Sequence, residues 1–353
     1  MTSTKVVKIT PASLSEENLK KAAEMIREGG LVIMPTETVY GIAANMLNEK
    51  AVEKLYEIKG RPKNKPFSLH LDSKSKIMDF AVDIPVRAWK LIDRFWPGPL
   101  TLILKAAGGQ TIGMRMPDDD IALKIIALSG VPVVCPSANL SERAAPVTFE
   151  EAIKDLDGLV DLAVDAGRTR LARESSIVDL TQEELKMLRE GAIRKEDIEA
   201  VAFRKTILFV CTGNSCRSVM AKALLEDKLK KMKRADIEVL SAGVMMLDGI
   251  GATEATRELL AQEGIDVSGH RSQKLTEEML RKSDIILVME KVHEERILQF
   301  LPEVKNRVFL LKEFAEIGGS DLNISDPIGR PMEFYEKTFE VIKKAIERIS
   351  GII

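Results

Sequence analysis

The sequence predicts an α/β protein of two domains, each a sheet of strands alternating with helices. Three observations carry this. Apolar runs of strand length alternate with segments of helical periodicity along the chain. One run, Ile207 to Val210, leads through Cys211-Thr212-Gly213-Asn214-Ser215-Cys216-Arg217-Ser218 into a helical pattern, which reads as a buried strand, a tight loop and a helix start. Finally, 353 residues correspond to about two domains at ~100–200 residues each, and such a strand normally opens a domain, so the chain divides into residues 1–202 and 203–353.

Composition narrows the partners only slightly. With 52 basic and 54 acidic residues the formal net charge is -2, so any affinity for a polyanion must be local. A hydrophobic content of 45% is ample for two cores. No run approaches the ~18 apolar residues that span a bilayer, and the expectation is a soluble, cytoplasmic protein with no membrane partner. Three cysteines argue against a secreted disulfide framework and leave free thiols. Abundant Lys and Glu point to a heat-tolerant source.

In the first half, Leu19, Ala22, Ala23 and Ile26 keep helical spacing, and Gly29-Gly30 stops that helix before an apolar strand from Leu31 to Met34. The strand runs into Pro35-Thr36-Glu37-Thr38-Val39-Tyr40-Gly41, with hydroxyls and a carboxylate at the end where open α/β sheets bind ligands. Read alone, these residues serve equally as a capped turn. A helical segment from Ala51 to Ile58 precedes Lys59-Gly-Arg61-Pro-Lys63-Asn-Lys65-Pro66-Phe67-Ser68-Leu69-His70. Four basic residues alternate in this Gly/Pro-punctuated loop, and Lys with Arg suits a polyphosphate such as ATP; a solvated basic loop is the alternative. Phe95 to Leu104 reads as a turn feeding a strand, and Val131 to Ser141 as a strand ending in small polar groups. Cys135, inside that apolar strand, reads as a core thiol.

Seven motifs stand here in a family's order: Pro35 to Gly41, Lys59-x-Arg61, Trp96-Pro-Gly-Pro-Leu-Thr101, Arg115-x-Pro117, Pro136-Ser137-Ala-Asn139, Glu174-Ser-Ser176-Ile-Val-Asp179 and Leu188-Arg-Glu-Gly191-Ala. Over roughly residues 8 to 200 the chain resembles the YrdC-type threonylcarbamoyl-AMP synthases. The resemblance implies a YrdC-like twisted α/β sheet with a deep, positively lined cavity. It also implies a reaction of L-threonine, bicarbonate and ATP that gives threonylcarbamoyl-AMP and pyrophosphate, on the way to threonylcarbamoyladenosine in tRNA. By the family pattern, Thr36, His70, Arg115 and Ser176 hold threonine and its carboxylate or carbamate, while Lys59, Arg61, Ser137, Asn139, Ser141 and Arg194 face the nucleotide. ATP brings Mg2+ with it; no metal-ligand cluster of the protein's own stands out, and no redox cofactor is implied. Longer members of the family carry a small C-terminal domain after a linker, and this chain departs from that pattern.

After the loop from Cys211 to Ser218, an apolar helical face runs from Met220 to Leu229. Strands at Ile237 to Leu240, Ile285 to Met289 and Val308 to Leu311 alternate with helices, one of them Ala252 to Glu263, and predict a doubly wound parallel sheet. A last helix carries Phe339, Ile342, Ile346 and Ile349 on one side. Within the loop, a thiol at a helix N-terminus beside an arginine is expected to ionise below the ordinary value of about 8.5. Arg217 can take two phosphate oxygens, and Ser218 can donate to the thiolate. Asp326, followed by Pro327, is a loop carboxylate of the kind a general acid requires; a simple turn is the alternative.

Cys211-x5-Arg217-Ser218 after a strand, Ser241-Ala-Gly243 after the next and the late Asp326-Pro327 resemble the low-molecular-weight protein tyrosine phosphatase family, over about residues 204 to 353. The resemblance implies Cys211 as a nucleophile forming a phosphocysteine, Arg217 as phosphate binder and Asp326 as acid, then base. Thr212, Gly213, Asn214, Ser215, Cys216 and Ser218 complete the phosphate loop, with Asn214 and Ser241 shaping it. Cys216 resembles the family's second loop cysteine, which protects the first through a reversible disulfide; a merely small, buried loop residue is the alternative. Phosphotyrosine enzymes of the family usually have aromatics after Asp-Pro and a bulky aliphatic before the second cysteine, whereas this chain has Ile328-Gly329 and Ser215. A small hydroxyl residue there resembles the protein arginine phosphatase branch, which has threonine. Arsenate reductases share the fold, but the thioredoxin-coupled kind need further cysteines after Cys216, and the sequence has none, which disfavours that reading. His270 and His293 lack ligand-like spacing and read as structural or exposed.

The expectation is a bifunctional enzyme, a threonylcarbamoyl-AMP synthase joined to a cysteine-dependent phosphatase of phosphoarginine or phosphotyrosine. Its expected partners are L-threonine, bicarbonate, ATP, a tRNA-modifying transferase and RNA, and a phosphoprotein. The alternative keeps the first domain as a nucleotide-binding or double-stranded-RNA-binding module that targets the phosphatase.

Overall fold

A computed structural model describes residues 3–9, 14–141, 143–245, 249–319 and 321–353. The chain separates into two compact units, Met1–Ala202 and Phe203–Ile353.

In the first unit the described residues build one sheet from β1 (Lys5–Lys8), β2 (Val32–Met34), β3 (Gly41–Asn45), β4 (Leu69–His70), β5 (Leu100–Lys105), β6 (Thr111–Arg115), β7 (Val133–Val134), β8 (Leu162–Asp165), β9 (Ser176–Asp179) and β10 (Lys186–Arg189). Their order is β1-β8-β2-β3-β7-β4-β6-β5-β9-β10. The sheet is mixed: β2 runs antiparallel to β3, and β4 antiparallel to β7 but parallel to β6. The run Leu31 to Met34 is apolar throughout because it is covered twice. Val32 and Met34 join Leu19, Ala22 and Ile26 of the helix Glu16–Arg27 on one face, while Leu31 and Ile33 join Leu55 on the other. That helix starts at Ser15, whose hydroxyl accepts from Asn18 N. A third cluster gathers Trp89, Leu91 and Ile92 of the helix Val86–Phe95 with Leu100, Leu102 and Leu104 of β5. Near the end of this unit Lys195–Ala202 forms a helix that buries Ile198 and Ala202 in this same cluster.

The second unit is an all-parallel sheet of β11 (Lys205–Cys211), β12 (Ile237–Gly243), β13 (Ile285–Val288) and β14 (Val308–Leu310), in the order β12-β11-β13-β14. β11 again alternates between two cores. Ile207, Phe209 and Cys211 face the cluster containing Met220, Phe339 and Ile342, while Leu208 and Val210 face Ile286, Ile297 and Val304. Both faces are covered, as in a doubly wound fold. The loop after β11, at the C-terminal edge of the central strand, leads into the helix Arg217–Lys231.

Candidate active sites

In the first unit the last residues of β4 and β6 and the segments that follow β2 and β7 converge with Ser175 and Arg189 around a cavity of about 440 Å3. Thr36, His70, Arg115, Lys59, Arg61, Ser137, Asn139 and Ser141 all line it. The register explains part of this convergence, because His70 and Arg115 are partners at the ends of the parallel pair β4 and β6. Arg115 is 4% exposed; its Nε donates to Gly98 O (3.2 Å), and its Nη2 lies 2.6 Å from the buried Glu37 carboxylate. Burial, then the positive charge of Arg115, pushes His70 down to about 3, with the Ser68 carbonyl opposing, so the imidazole is neutral at physiological pH. Thr36 closes its own turn by donating to Val39 O (2.7 Å).

The basic loop is ordered by its own carbonyls. Arg61 donates from Nε to Lys65 O (2.8 Å) and from Nη2 to Pro66 O (3.0 Å), and its guanidinium sits 5.1 Å from the Phe67 ring centroid. Lys59 ends the helix Glu49–Lys59 and is buried at 6% exposure. Its ammonium donates to Ser137 O (2.8 Å), Asn139 O (2.5 Å) and Asn139 Oδ1 (2.8 Å). Burial, with Arg61 beside it and Glu174 opposing, draws that ammonium down to about 8. Cys135 also touches the cavity, but burial pushes its thiol up to about 12 against the pull of Arg115, so it stays protonated and inert.

The second site is contiguous in sequence. Cys211 Sγ lies 2.9 Å from Ser218 Oγ at the start of the helix. Asn214 takes a left-handed conformation (φ 53°); its Nδ2 donates to Ser218 Oγ (2.9 Å) and Ser241 Oγ (3.0 Å), and its Oδ1 accepts from Gln273 N (3.0 Å). Gly243 lets β12 come close: a Cβ there would sit 2.9 Å from Thr212 O and 3.0 Å from Asn214 N. Arg217, 1% exposed, donates to Ile324 O (2.7 Å) and Thr212 Oγ1 (3.0 Å) and meets the carboxylates of Glu290 and Asp326, each at 2.5 Å. Its Nε is buried without a partner among the described residues, which leaves a donor for a bound oxyanion.

Two comparisons bear on these sites. The Sua5/YciO/YrdC family model, described as telomere recombination, matches residues 24–191, and the model described as low molecular weight phosphotyrosine protein phosphatase matches residues 206–350. The threonylcarbamoyl-AMP synthase of Pyrococcus abyssi is 42% identical over 197 residues, 53% of this chain and 58% of that protein; the chain thus spans little more than half of that relative. A provisionally named threonylcarbamoyl-AMP synthase of Methanocaldococcus jannaschii is 40% identical over 54% of this chain and 94% of its own length. The protein-arginine-phosphatase of Geobacillus stearothermophilus is 39% identical over 41% of this chain and 93% of its own length. The chain belongs to both families. A P. abyssi Sua5 structure complexed with L-threonine superposes with a TM-score of 0.54 at 27% identity, covering 87% of this chain and 99% of that one.

Within the Sua5/YciO/YrdC part, two expected ligands do not line the cavity. Ser176 is fully buried and its hydroxyl is used structurally, donating to Ile193 O (2.6 Å) and accepting from Gly191 N (2.9 Å) and Ile193 N (3.0 Å). Strand alternation turns it inward and leaves its neighbour Ser175 on the cavity. Arg194 is exposed and forks onto Asp197 at 2.9 and 3.0 Å. The guanidinium on the wall is instead that of Arg189, tied to Glu174 and Ser175, and Lys65 also faces the cavity. Arg189 lies inside the Leu-Arg-Glu-Gly motif, which is the signal for it in the sequence. Lys59 lines the wall as expected, yet its hydrogens go to the Ser137–Asn139 loop.

Within the phosphatase part, burial pushes the Cys211 thiol up rather than down, against Ser218, Arg217 and the backbone N–H groups of Ser218 and Asn214. Both histidines buttress the loop. His270 Nε2 donates to Asn214 O (2.7 Å), and His293, buried, accepts from Glu290 N at Nδ1 (3.1 Å) and donates from Nε2 to Thr212 Oγ1 (3.0 Å). Burial and Arg217 hold His293 down at about 4, so it is neutral. Neither histidine nor Glu290 has a spacing that reveals this role. Cys216 Sγ contacts Thr253 Oγ1 (3.4 Å) and Tyr335 OH (3.8 Å), and all three cysteines are free thiols.

Proposed function

We propose that the chain is a bifunctional enzyme. In this reading its first unit makes threonylcarbamoyl-AMP from L-threonine, bicarbonate and ATP, and its second hydrolyses a phosphoprotein through a phosphocysteine. The observation that carries the first activity is one cavity in which Arg115 and neutral His70 stand beside Arg61, Lys65 and Arg189, so an amino acid and a polyphosphate can be held together. Threonine's carboxylate pairs with Arg115. Its amine condenses with bicarbonate to a carbamate, a carbamate oxygen attacks the α-phosphorus, and pyrophosphate leaves against the cationic wall. Mg2+ belongs to the ATP substrate in this reading. The product serves a transferase that modifies tRNA, and the setting is the cytoplasm.

The second activity rests on Cys211, Ser218, Arg217 and Asp326 around one loop. The Cys211 thiol passes its proton to a phosphoryl oxygen of the incoming substrate, Sγ attacks phosphorus, the bond to the leaving atom breaks, and Asp326 protonates that atom. Asp326 then takes a proton from water, which attacks the phosphocysteine and releases phosphate. Arg217 supplies its Nε–H to an equatorial oxygen, and Ser218 stabilises the thiolate. Phosphoarginine is the favoured substrate, supported by Ser215 in the loop and by the 39% identity to a protein-arginine-phosphatase. Phosphate release from phosphoarginine and phosphotyrosine peptides tests this, with Cys211→Ser as control, and a preference for phosphotyrosine rejects it. Pyrophosphate release that requires both threonine and bicarbonate tests the first activity. ATP or RNA binding without turnover would leave the first unit as a targeting module.

A further inference from the structure

Lys59 is a cation on a cavity wall that has no hydrogen left for a ligand. All three of its N–H groups are met at 2.5–2.8 Å by Ser137 O, Asn139 O and Asn139 Oδ1. The same loop returns the contact, because Ser141 Oγ donates to the Lys59 carbonyl at the end of the helix. Within the loop, Ser137 Oγ donates to Asn139 Oδ1 (2.6 Å) and Asn139 Nδ2 to Arg143 O (2.6 Å). Asn139 is thus oriented from three sides, and a buried ammonium sits at the centre of the arrangement. By contrast, Arg61 Nη1 and Lys65 Nζ have no partner among the described residues, and both line the cavity.

We propose that Lys59 is a positioning residue: its ammonium clamps the Ser137–Ser141 loop into the shape that faces the nucleotide, and Arg61 and Lys65 make the charge contact with the polyphosphate. This deepens the synthase reading and rests on it for its kinetic consequence, but the clamp itself does not depend on turnover. An ammonium that donates to three fixed oxygens differs from one that neutralises a phosphate. Arginine restores the charge but not the three-way geometry, because its donors lie in a plane.

The test compares Lys59→Arg, Lys59→Gln, Asn139→Ala and Arg61→Gln in the full chain. Hydrogen exchange of the Ala138 to Ser141 amides, without any nucleotide, should quicken at least about tenfold in both Lys59 variants and not in Arg61→Gln. In threonine- and bicarbonate-dependent pyrophosphate release, Lys59→Arg should lose kcat about as much as Lys59→Gln. The salt dependence of the KM for ATP should be unchanged in the Lys59 variants and weakened in Arg61→Gln. Adding Asn139→Ala to Lys59→Gln should cost less than the sum of the two. Unchanged exchange in Lys59→Arg overturns the clamp, as does activity of that variant within about threefold of wild type. A wild type that shows no threonine-dependent turnover overturns the synthase reading instead, and the exchange result then decides the clamp alone. If Lys59→Gln does not fold, Lys59→Arg and Asn139→Ala carry the same comparison.

Discussion

The two sites are assembled in opposite ways. In the phosphatase unit one strand, one loop and one helix start bring Cys211, Arg217 and Ser218 together within eight consecutive residues, and only Asp326 arrives from far along the chain. In the Sua5/YciO/YrdC unit the lining residues run from Thr36 to Arg189 and come from segments scattered over the whole unit. A loop concentrates its chemistry in one atom, whereas a dispersed cavity distributes binding over many groups. The second therefore tolerates the loss of any one group better than the first.

The largest effect should show this contrast directly. Cys211→Ser should lower phosphopeptide hydrolysis by at least about 10^3-fold, because no other nucleophile replaces the thiolate. Arg115→Ala should instead raise the KM for threonine by about 10–100-fold, the loss of one charge-assisted contact, with a smaller change in kcat. If Arg115→Ala is as damaging to kcat as Cys211→Ser is to hydrolysis, the contrast is broken.

Acid should separate the units next. His70 and His293 are both buried and neutral, with pKa values brought to about 3 and about 4 from the ordinary 6.5. Each folded value lies below the unfolded one, so the unfolded chain binds more protons in between. Stability is complete above about pH 6.5 and falls as pH drops, down to about pH 4 for His293 and about pH 3 for His70. For His293, which faces Arg217, Glu290, Asp326 and Arg296, the loss is at most about 3 kcal/mol. Thermal melts of the full chain from pH 7 to pH 3 should show the His293→Asn difference level off near pH 4, while that of His70→Asn still grows.

Smaller still are two glycine substitutions. A Cβ at Gly191 would meet Glu174 O at 2.2 Å, and one at Gly243 would meet Thr212 O at 2.9 Å. Both neighbours are backbone, so each Gly→Ala change should cost about 1–3 kcal/mol in thermal unfolding. Gly243→Ala should also slow hydrolysis, since the atoms displaced belong to the phosphate loop.

The sequence made the fold class readable because the runs 31–34 and 207–210 are apolar without interruption, and the loop at Cys211 readable because its chemistry is contiguous. The Sua5/YciO/YrdC cavity was readable only as seven short motifs, each weak by itself. What sequence could not supply was direction. Strand alternation sends Ser176 inward and Ser175 to the cavity, and three oxygens that are far from Lys59 in sequence use up its hydrogens. The raised Cys211 thiol belongs to the same class, because its cause is burial, which only the folded unit creates. The roles of His270 and His293 are likewise contacts across the fold rather than patterns along it.

The smallest effect is the most exacting test of that distinction. Arg194 and Arg189 are five residues apart, and the family pattern placed Arg194 at the nucleotide. In the structure Arg194 is 68% exposed at its side chain and engaged with Asp197, a pair that solvent screens. Arg189 is half-buried, held by Glu174 and Ser175 O, and turned to the cavity. Arg194→Ala should therefore leave the KM for ATP and the kcat within about twofold of wild type. Arg189→Gln should raise the KM for ATP about tenfold, because one desolvated charge-assisted contact with the substrate is lost. Steady-state pyrophosphate release with each variant separates the two positions. The reverse ranking would mean that the helix start at Arg194 turns onto the nucleotide when it binds, and that the cavity is completed by a movement of residues 191–197.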